Sequence, residues 1–526
     1  MNKFIQTNLF FLIFLALTVF AVYGQSVKFG YTDFDDKTLI FQNEGLILNL
    51  KNISEIFKTS CFYSNDFTYY RPVLSLSFLF ESILFGTNIG TYRITNMMLF
   101  VLNIYLIYIF LRKLNFNKTV LKIILLLTAV HPVFVSCFVW IPARNDTLTM
   151  IFFILSFINF TDYIKSSKNK FLFLHGLFFT AALFTKETSL VLIPLYVLFV
   201  YCFGLKITLK QTVSNLIILL PVSAMYLVLR NIAVAGLNFK DYFENLDKFA
   251  ALFATGTMAY IYNLVMPENV PVMMYQINPD LQFIFAGVLV LSVLFLLYYK
   301  NFIDRKIIIF SVAWFVICLI PPFLSDDYLF LPHRILLPFL GIIIIAAATV
   351  NKIITKYGAS KKYIIVFGCA MLFSYSYASY VQKYKYQNPD VFWTNAYIDA
   401  PKYYVACNGI AVRANDYGDF EKAQKFAYEA FICEKKYSNK SGLRSLLTLS
   451  EIFLTKGDTD NAETICLDIA NIKFDIASNL RNLSQIYLIK NDIAKSIRYA
   501  QTLQSMYPNN NNYKRHLENL YKLKNK

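Results

Sequence analysis

From residue 7 to residue 380 the chain alternates between long apolar runs and short polar interruptions. Runs such as "FFLIFLALTVFAVYG" (10–24) and "IIIFSVAWFVICLIPPFL" (307–324) are too long for core helices of a soluble domain. They match the ~20 residues a helix needs to cross a bilayer. The pattern predicts about eleven spanning helices, at 7–24, 92–111, 122–141, 147–161, 171–185, 188–204, 212–230, 282–299, 307–323, 335–351 and 363–380. A further segment, "LFATGTMAYIYNLVMPENV" (252–270), is apolar enough to span, but counting it would invert the sidedness of every later loop. It is read as re-entrant or lying along the surface. Residues 1–25 also carry the marks of a cleavable signal, with Lys3, an apolar stretch and "AVYGQ"; the reading below retains this helix.

After residue 385 the apolar runs stop and a second pattern begins. "YGDFEKAQKFAYEA" (417–430), "KGDTDNAETICLDIA" (456–470) and "KNDIAKSIRYAQTL" (490–503) echo one another. Gly418, Gly457 and Asn491 mark turns, Asp419, Asp458 and Asp492 follow as N-caps, and Ala423, Ala462 and Ser496 are small where helices would cross. The turns lie 39 and 34 residues apart; the second spacing is that of a tetratricopeptide repeat. "NNYKRHLENLYKLKNK" reads as a capping helix. The expected architecture is all-α: a polytopic membrane domain over 1–385, with 25–91 as a first outer loop carrying surface helices, then a tetratricopeptide repeat domain over 386–526. Such an array offers a groove to an acceptor protein or peptide, or serves as a plain packing module.

Composition agrees. Of 526 residues, 57% are hydrophobic, with 51 Phe, 37 Tyr and a mean hydropathy of +0.47. The formal charge of +17 would suggest nucleic acid in a soluble protein; here its placement excludes that partner. One set of loops holds Arg112, Lys113, Lys118, Lys122, Lys165, Lys168, Lys170, Lys206, Lys210, Lys300, Arg305, Lys306, Lys352, Lys356, Lys361 and Lys362, with only Asp162 and Asp304 against them. The other set holds Asp33, Asp35, Asp36, Glu44, Glu55, Asp66, Asp241, Glu244, Asp247, Glu268, Asp280, Asp326 and Asp327. Lys and Arg are retained on the cytoplasmic side, so the N-terminus is expected inside and the carboxylate loop and repeat domain outside. Short loops and heavy Asn, Ile and Lys usage suggest a bacterial inner membrane, with the repeats in the periplasm. The eight Cys form no CxxC and no Cys/His pairing, so no zinc site is indicated. Cys407, Cys433 and Cys466 fall in the outer tail, where a disulfide is permissible.

Polar groups at the membrane are expensive and need a reason. Five separated stretches supply them on the outer side: Asp35 and Asp36; Arg71; His131, Arg144 and Asp146; Lys186 and Glu187; and Asp326, Asp327, His333 and Arg334. If they meet, they provide a carboxylate pair and several cations. That inventory suits a reaction between a lipid-linked phosphate and a hydroxyl, with cations stabilising the leaving phosphate and a carboxylate taking the hydroxyl proton. Plainer roles compete: Asp36 with Thr38 as a helix cap, Arg144 with Asp146 as a turn salt bridge, Lys186 and Glu187 as a helix end, His131 before Pro132 as a satisfied imidazole at a kink. "DFD" (33–35) matches a DxD metal motif over only three residues, and a metal is not demanded.

These stretches resemble the transmembrane-and-tetratricopeptide (TMTC-like) branch of the GT-C glycosyltransferases. The shared order is "DD" after the first span, "RPVLSLS" (71–77), "NMMLFVLN" (96–103), "HPVFVSCFVWIPAR" (131–144), "KET" (186–188), "HRILLPFLG" (333–341) and terminal repeats. Phe100 stands where the family usually has His, "WIPARND" lacks the usual bacterial "RKD", and the family's repeats commonly number more than three. The resemblance implies a GT-C fold and transfer of a hexose, often mannose, from a polyprenyl-phosphate sugar to a Ser or Thr hydroxyl with inversion. It implies Asp35 as base, with Asp36 as its partner or substitute. Arg144, Lys186, His333 and Arg334 take the donor phosphate, with Arg71, His131, Asp146 and Glu187 in support. No cofactor is implied, since the lipid-phosphate sugar is a substrate; no Walker loop appears. The alternatives are the same donor chemistry onto a lipid or cell-wall glycan, a non-catalytic membrane-anchored repeat scaffold, and a transporter, the last disfavoured by polar residues at one rim.

Overall fold

The computed structural model describes residues 3–62, 69–234, 246–275, 280–324, 329–357, 361–437, 442–472, 476–506 and 511–525. Asp66, Asp241, Glu244, Asp326 and Asp327 of the acidic loops lie outside them. The chain divides into two compact units, one of Met1–Val272 and Gln276–Asn388, the other of Met273–Tyr275 and Pro389–Lys526.

The first unit is a helical bundle of a multi-pass membrane protein. Among the described residues, eight helices are long and apolar enough to cross a bilayer, and nine if the pair Lys118–Ala129 and Pro132–Val139, bent by 55°, is one broken span. Two of the eleven expected spans fall short: Asn169–Thr185 and Glu187–Cys202 are apolar helices of 17 residues or fewer. Large apolar side chains stay exposed along the spans, among them Phe10, Leu17, Ile217, Val228, Phe285 and Phe373, as lipid-facing helices require. The first helix, Lys3–Tyr23, packs into the bundle through Phe11 against Tyr108 and Tyr23 stacked on Phe138 at 3.9 Å.

Proline chemistry shapes the site end of this bundle. Pro132 has no N–H to continue a helix, so the run breaks at His131, whose Nδ1 caps Val133 N at 3.3 Å. Pro142 breaks it again, and the helix Arg144–Ser166 restarts directly behind. Arg144 and Asp146 are therefore in a helix's first turn. The helices Arg305–Phe323 and Phe339–Tyr357 cross closely at Gly341, where a Cβ would meet the Ser311 carbonyl oxygen at 2.3 Å.

The helix Leu246–Val265 lies against the first two turns of Leu281–Tyr299, through Tyr262 on Phe283 and Met258 beside Gly287. Phe253 and Tyr260 both meet Phe323, the last residue of Arg305–Phe323. The contacts that place this segment thus gather at one end of the bundle. The first loop folds as short helical turns between Gly24 and Ile56, then the helix Pro72–Phe85. Leu39, Ile40 and Ile47 pack with Leu74, Phe78, Tyr92 and Ile141, which ties the loop to the bundle end.

The second unit is a stack of antiparallel helices: Tyr404–Asp416 with Phe420–Tyr437, Leu443–Lys456 with Thr459–Ile472, Ile476–Ile489 with Ile493–Met506, and a final Asn511–Lys524. Gly418, Gly457 and Asn491 all have positive φ at the hairpin turns. Asp419, Asp458 and Asp492 each accept the backbone N–H three residues on, at 3.1, 3.3 and 3.0 Å. Ala423, Ala462 and Ser496 are fully buried where the helices cross.

Candidate functional site

The site grows from the loop Asp33–Lys37. Asp36 is buried and fully engaged: Oδ2 accepts Thr32 N at 2.7 Å and Thr32 Oγ1 at 3.0 Å, and Oδ1 accepts Lys37 N at 2.9 Å. It closes the loop on itself. That geometry forces Asp35 into the left-handed region, φ +66°, which Asp tolerates better than most residues. The Asp35 side chain is half-buried and makes no hydrogen bond or ion pair among the described residues. Burial pushes its pKa up to about 6, with Arg71 and Arg334 restraining the rise. Burial also pushes Asp36 up, to about 7, against the Thr32 hydrogen bonds that favour its anion.

Around Asp35 the separated stretches converge. Arg71, at the head of Pro72–Phe85, holds Glu187 bidentately, Nε to Oε2 at 3.0 Å and Nη2 to Oε1 at 2.6 Å. Burial would raise the Glu187 carboxyl, but Arg71 outweighs it and holds the group at about 2. Tyr69 lies under the Arg71 guanidinium at 4.4 Å. Lys186 Nζ donates to Asp146 Oδ1 at 2.7 Å, and His333 Nε2 stands 3.7 Å from Asp146 Oδ2. That second Asp146 oxygen is buried without a hydrogen bond among the described residues. Burial pushes His333 down to about 3, so it is a neutral imidazole at physiological pH. Arg71 and Arg334 are both close enough to act electrostatically on Lys186, His333 and Asp35. Trp140 knits the pieces: its Nε1 donates to Phe34 O at 2.9 Å, its ring stacks on Phe34 at 5.4 Å, and His333 packs on it at 5.0 Å.

Two expected members are placed elsewhere. Arg144, expected at the donor phosphate, is 1% exposed and is consumed by Glu81, 2.6 Å from Nη1, by Asn96 Oδ1 at 2.8 Å and by Tyr92 O at 3.1 Å. The Phe78 ring covers it at 4.5 Å. His131 is buried among Phe134, Phe339 and Tyr375, with Nε2 3.2 Å from Leu264 O, a helix-joining role. Of the rest, Asp35, Arg71, Asp146, Lys186, Glu187, His333 and Arg334 form one cluster, and Asp36 closes the loop that carries Asp35.

Sequence reasoning missed Trp140, quoted only as part of a motif, and Glu81. A lone carboxylate inside the apolar helix "SFLFESILF" was the available signal, since a buried acid demands a partner. Cys61 was missed as well; it is buried near Arg71, Glu187 and Asp35. No set of three or more His, Cys, Asp or Glu among the described residues could hold a metal ion; Asp33 of "DFD" instead lies 3.6 Å from Lys37. No family model, curated protein or solved structure matches the chain.

Proposed function

We propose that this chain is a membrane glycosyltransferase of GT-C type. It moves a hexose, mannose-like, from a polyprenyl-phosphate donor to a Ser or Thr hydroxyl of an exported protein, with inversion. The observation that carries the reading is Asp35: a carboxylate with no side-chain hydrogen bond or ion pair among the described residues, at positive φ, with its pKa raised to about 6, beside the cations Arg71, Lys186 and Arg334. A base poised near the working pH is what general-base catalysis needs.

In this reading the acceptor hydroxyl gives its proton to Asp35 as its oxygen attacks the anomeric carbon. The bond from that carbon to the phosphate oxygen breaks, and its electron pair leaves with the phosphate. The donor, a phosphodiester, carries one negative charge and the released monoester two. Among the described residues the cluster holds three cations, Arg71, Lys186 and Arg334, and three carboxylates, Asp35, Asp146 and Glu187, with His333 neutral. Protonation of Asp35 therefore leaves the cluster one unit more positive as the phosphate becomes one unit more negative. The field shifts in step with the developing charge, which is the condition for selective transition-state stabilisation. Asp36 and Trp140 position the base. Lys186 and Arg334 stay with the phosphate, joined by Arg71 in place of Arg144.

The positive loops set the N-terminus in the cytoplasm of a bacterial inner membrane, with the site end and the C-terminal unit in the periplasm. The hairpin stack is read as tetratricopeptide repeats. A groove of about 300 Å³ there is lined by Asn415, Thr448, Thr455, Asn482 and Gln485 beside the Glu451–Arg481 pair. Amides and hydroxyls of this kind suit the backbone of an extended acceptor peptide, which favours a protein acceptor over a glycan.

The test is direct transfer. Membranes holding the full chain, given polyprenyl-phosphate mannose and periplasmic proteins, should add a hexose to Ser or Thr in intact-mass spectra. Sugar appearing only on lipid or glycan would move the acceptor. No transfer from any polyprenyl-phosphate hexose by folded protein would end the enzymatic reading.

A further inference from the structure

The C-terminal unit carries a feature that the transfer reaction does not use. Its first hairpin pairs Tyr404–Asp416 with Phe420–Tyr437. Ala411, Ala414, Ala423 and Ala427 line the crossing, all buried. Methyl side chains at these four positions let the two helices pack closely. One buried cysteine from each helix, Cys407 and Cys433, lies on this hairpin, and the two thiols are close enough to act on each other and on the same Glu429 carboxylate. Cys407 also lies 3.5 Å from Pro401 O. Neither is bonded to another cysteine. The third thiol of this unit, Cys466, is buried in the next hairpin with Ser450 as its partner, so the pair has no competitor in contact.

We propose that Cys407 and Cys433 are a disulfide-forming pair that cross-links the first hairpin when the unit meets an oxidising milieu. Facing helices put β-carbons within the short span a disulfide bridges, provided the helices cross tightly, and the alanine seam supplies that. The chemistry is exchange with a disulfide oxidant. Cys433 is the more accessible thiol; the neighbouring Cys407 favours its thiolate, with help from Lys402 and Lys436, against burial and Glu429. It attacks the oxidant and forms a mixed disulfide, releasing one oxidant thiolate. Cys407 then loses its proton and attacks the Cys433 sulfur, releasing the second. Two thiols give up two electrons and two protons, and the oxidant leaves as two thiols. The bridge closes a loop through the first turn, so it locks the hairpin on which the remaining helices stack.

The pairing is a property of the hairpin. Its state in the cell rests on the periplasmic placement proposed above, and the experiment separates the two. Full-length protein in native membranes is treated with oxidised glutathione, quenched with acid, denatured, alkylated with a maleimide and digested. The expected product is a peptide containing Cys407 joined to one containing Cys433, reversed by dithiothreitol, retained in Cys466→Ser and lost in Cys433→Ser. Full alkylation of both thiols, as at Cys466, or a link to Cys466 instead, would overturn the proposal. Protein trapped with acid straight from cells should already carry the bridge. A bridge that forms only after added oxidant would keep the pair and remove the periplasmic placement.

Discussion

Asp35 and Arg144 make a useful pair of opposites. Both are charged residues at the same end of an apolar bundle, and the sequence places both at the site, Asp35 as base and Arg144 at the donor phosphate. Arg144 has an ion pair, a side-chain amide, a carbonyl and an aromatic ring around it. Glu81, its partner, also accepts from Thr95 at 2.7 Å. Among the described residues the Asp35 side chain has none of these, and Asp146 of the same cluster keeps one buried oxygen without a hydrogen bond there. In one region the charges close on one another; in the other Asp35 stands outside the Arg71–Glu187 and Lys186–Asp146 pairs beside it. Polar networks that satisfy themselves specify structure; groups held unsatisfied by their surroundings are where chemistry is expected.

The contrast breaks most visibly at Arg144. Arg144→Met strands Glu81 in the interior, a change worth about 3–5 kcal/mol, and should remove most folded protein in detergent melts. Adding Glu81→Leu should restore the melt, because a shape-matched apolar pair replaces a buried ion pair at little cost. If that double variant folds but transfers no sugar, Arg144 belongs to the chemistry after all.

Next in size is pH. Burial raises Asp35, so the base is lost on acidification, and transfer should fall about tenfold per unit below about pH 6. The stability consequence has the opposite sign. A carboxyl raised in the folded state stabilises the fold below the ordinary carboxylate pKa, and that contribution is lost as pH rises through about 6. Asp35→Asn should therefore melt no lower than the parent at pH 7.5.

Arg71→Lys gives up the bidentate grip on Glu187. It should cost about tenfold in kcat/KM, carried in KM if Arg71 holds donor before and during transfer alike. The smallest effect belongs to Asp36→Ala, which removes the closure of the loop. It should cost about 1–2 kcal/mol of stability, with partial activity remaining.

Much of this architecture is written in the pattern of the chain. Eleven apolar segments were visible and all form helices, although two are short and one is broken, because Pro132 interrupts a run whose hydropathy alone looks continuous. In the C-terminal unit, turn residue, capping Asp and small crossing residue recur in each hairpin, since capping and close packing are local chemistry. The convergence of Arg71, Lys186, Glu187 and His333 was legible only as a shared level in the membrane. Which of Asp35 and Asp36 is held by hydrogen bonds was not legible in the residues, although the resemblance put Asp35 first as base. It depends on Thr32 folding back onto one of two adjacent carboxylates, and adjacency in sequence carries no sign of which. The pairing of Arg144 was not legible for the same reason: its partner Glu81 lies in another helix.

The central claim is that Asp35, and not Asp36, is the base. The direct measurement is the initial rate of hexose transfer at pH 7.5 by Asp35→Asn and Asp36→Asn, each normalised to folded protein in the same membranes. Asp35→Asn should lose about 10²–10⁴ in rate while Asp36→Asn, which keeps an accepting oxygen for Thr32, stays within about tenfold of the parent. An Asp35→Asn variant that transfers at the parent's rate, or an inert Asp36→Asn variant beside it, would contradict the account.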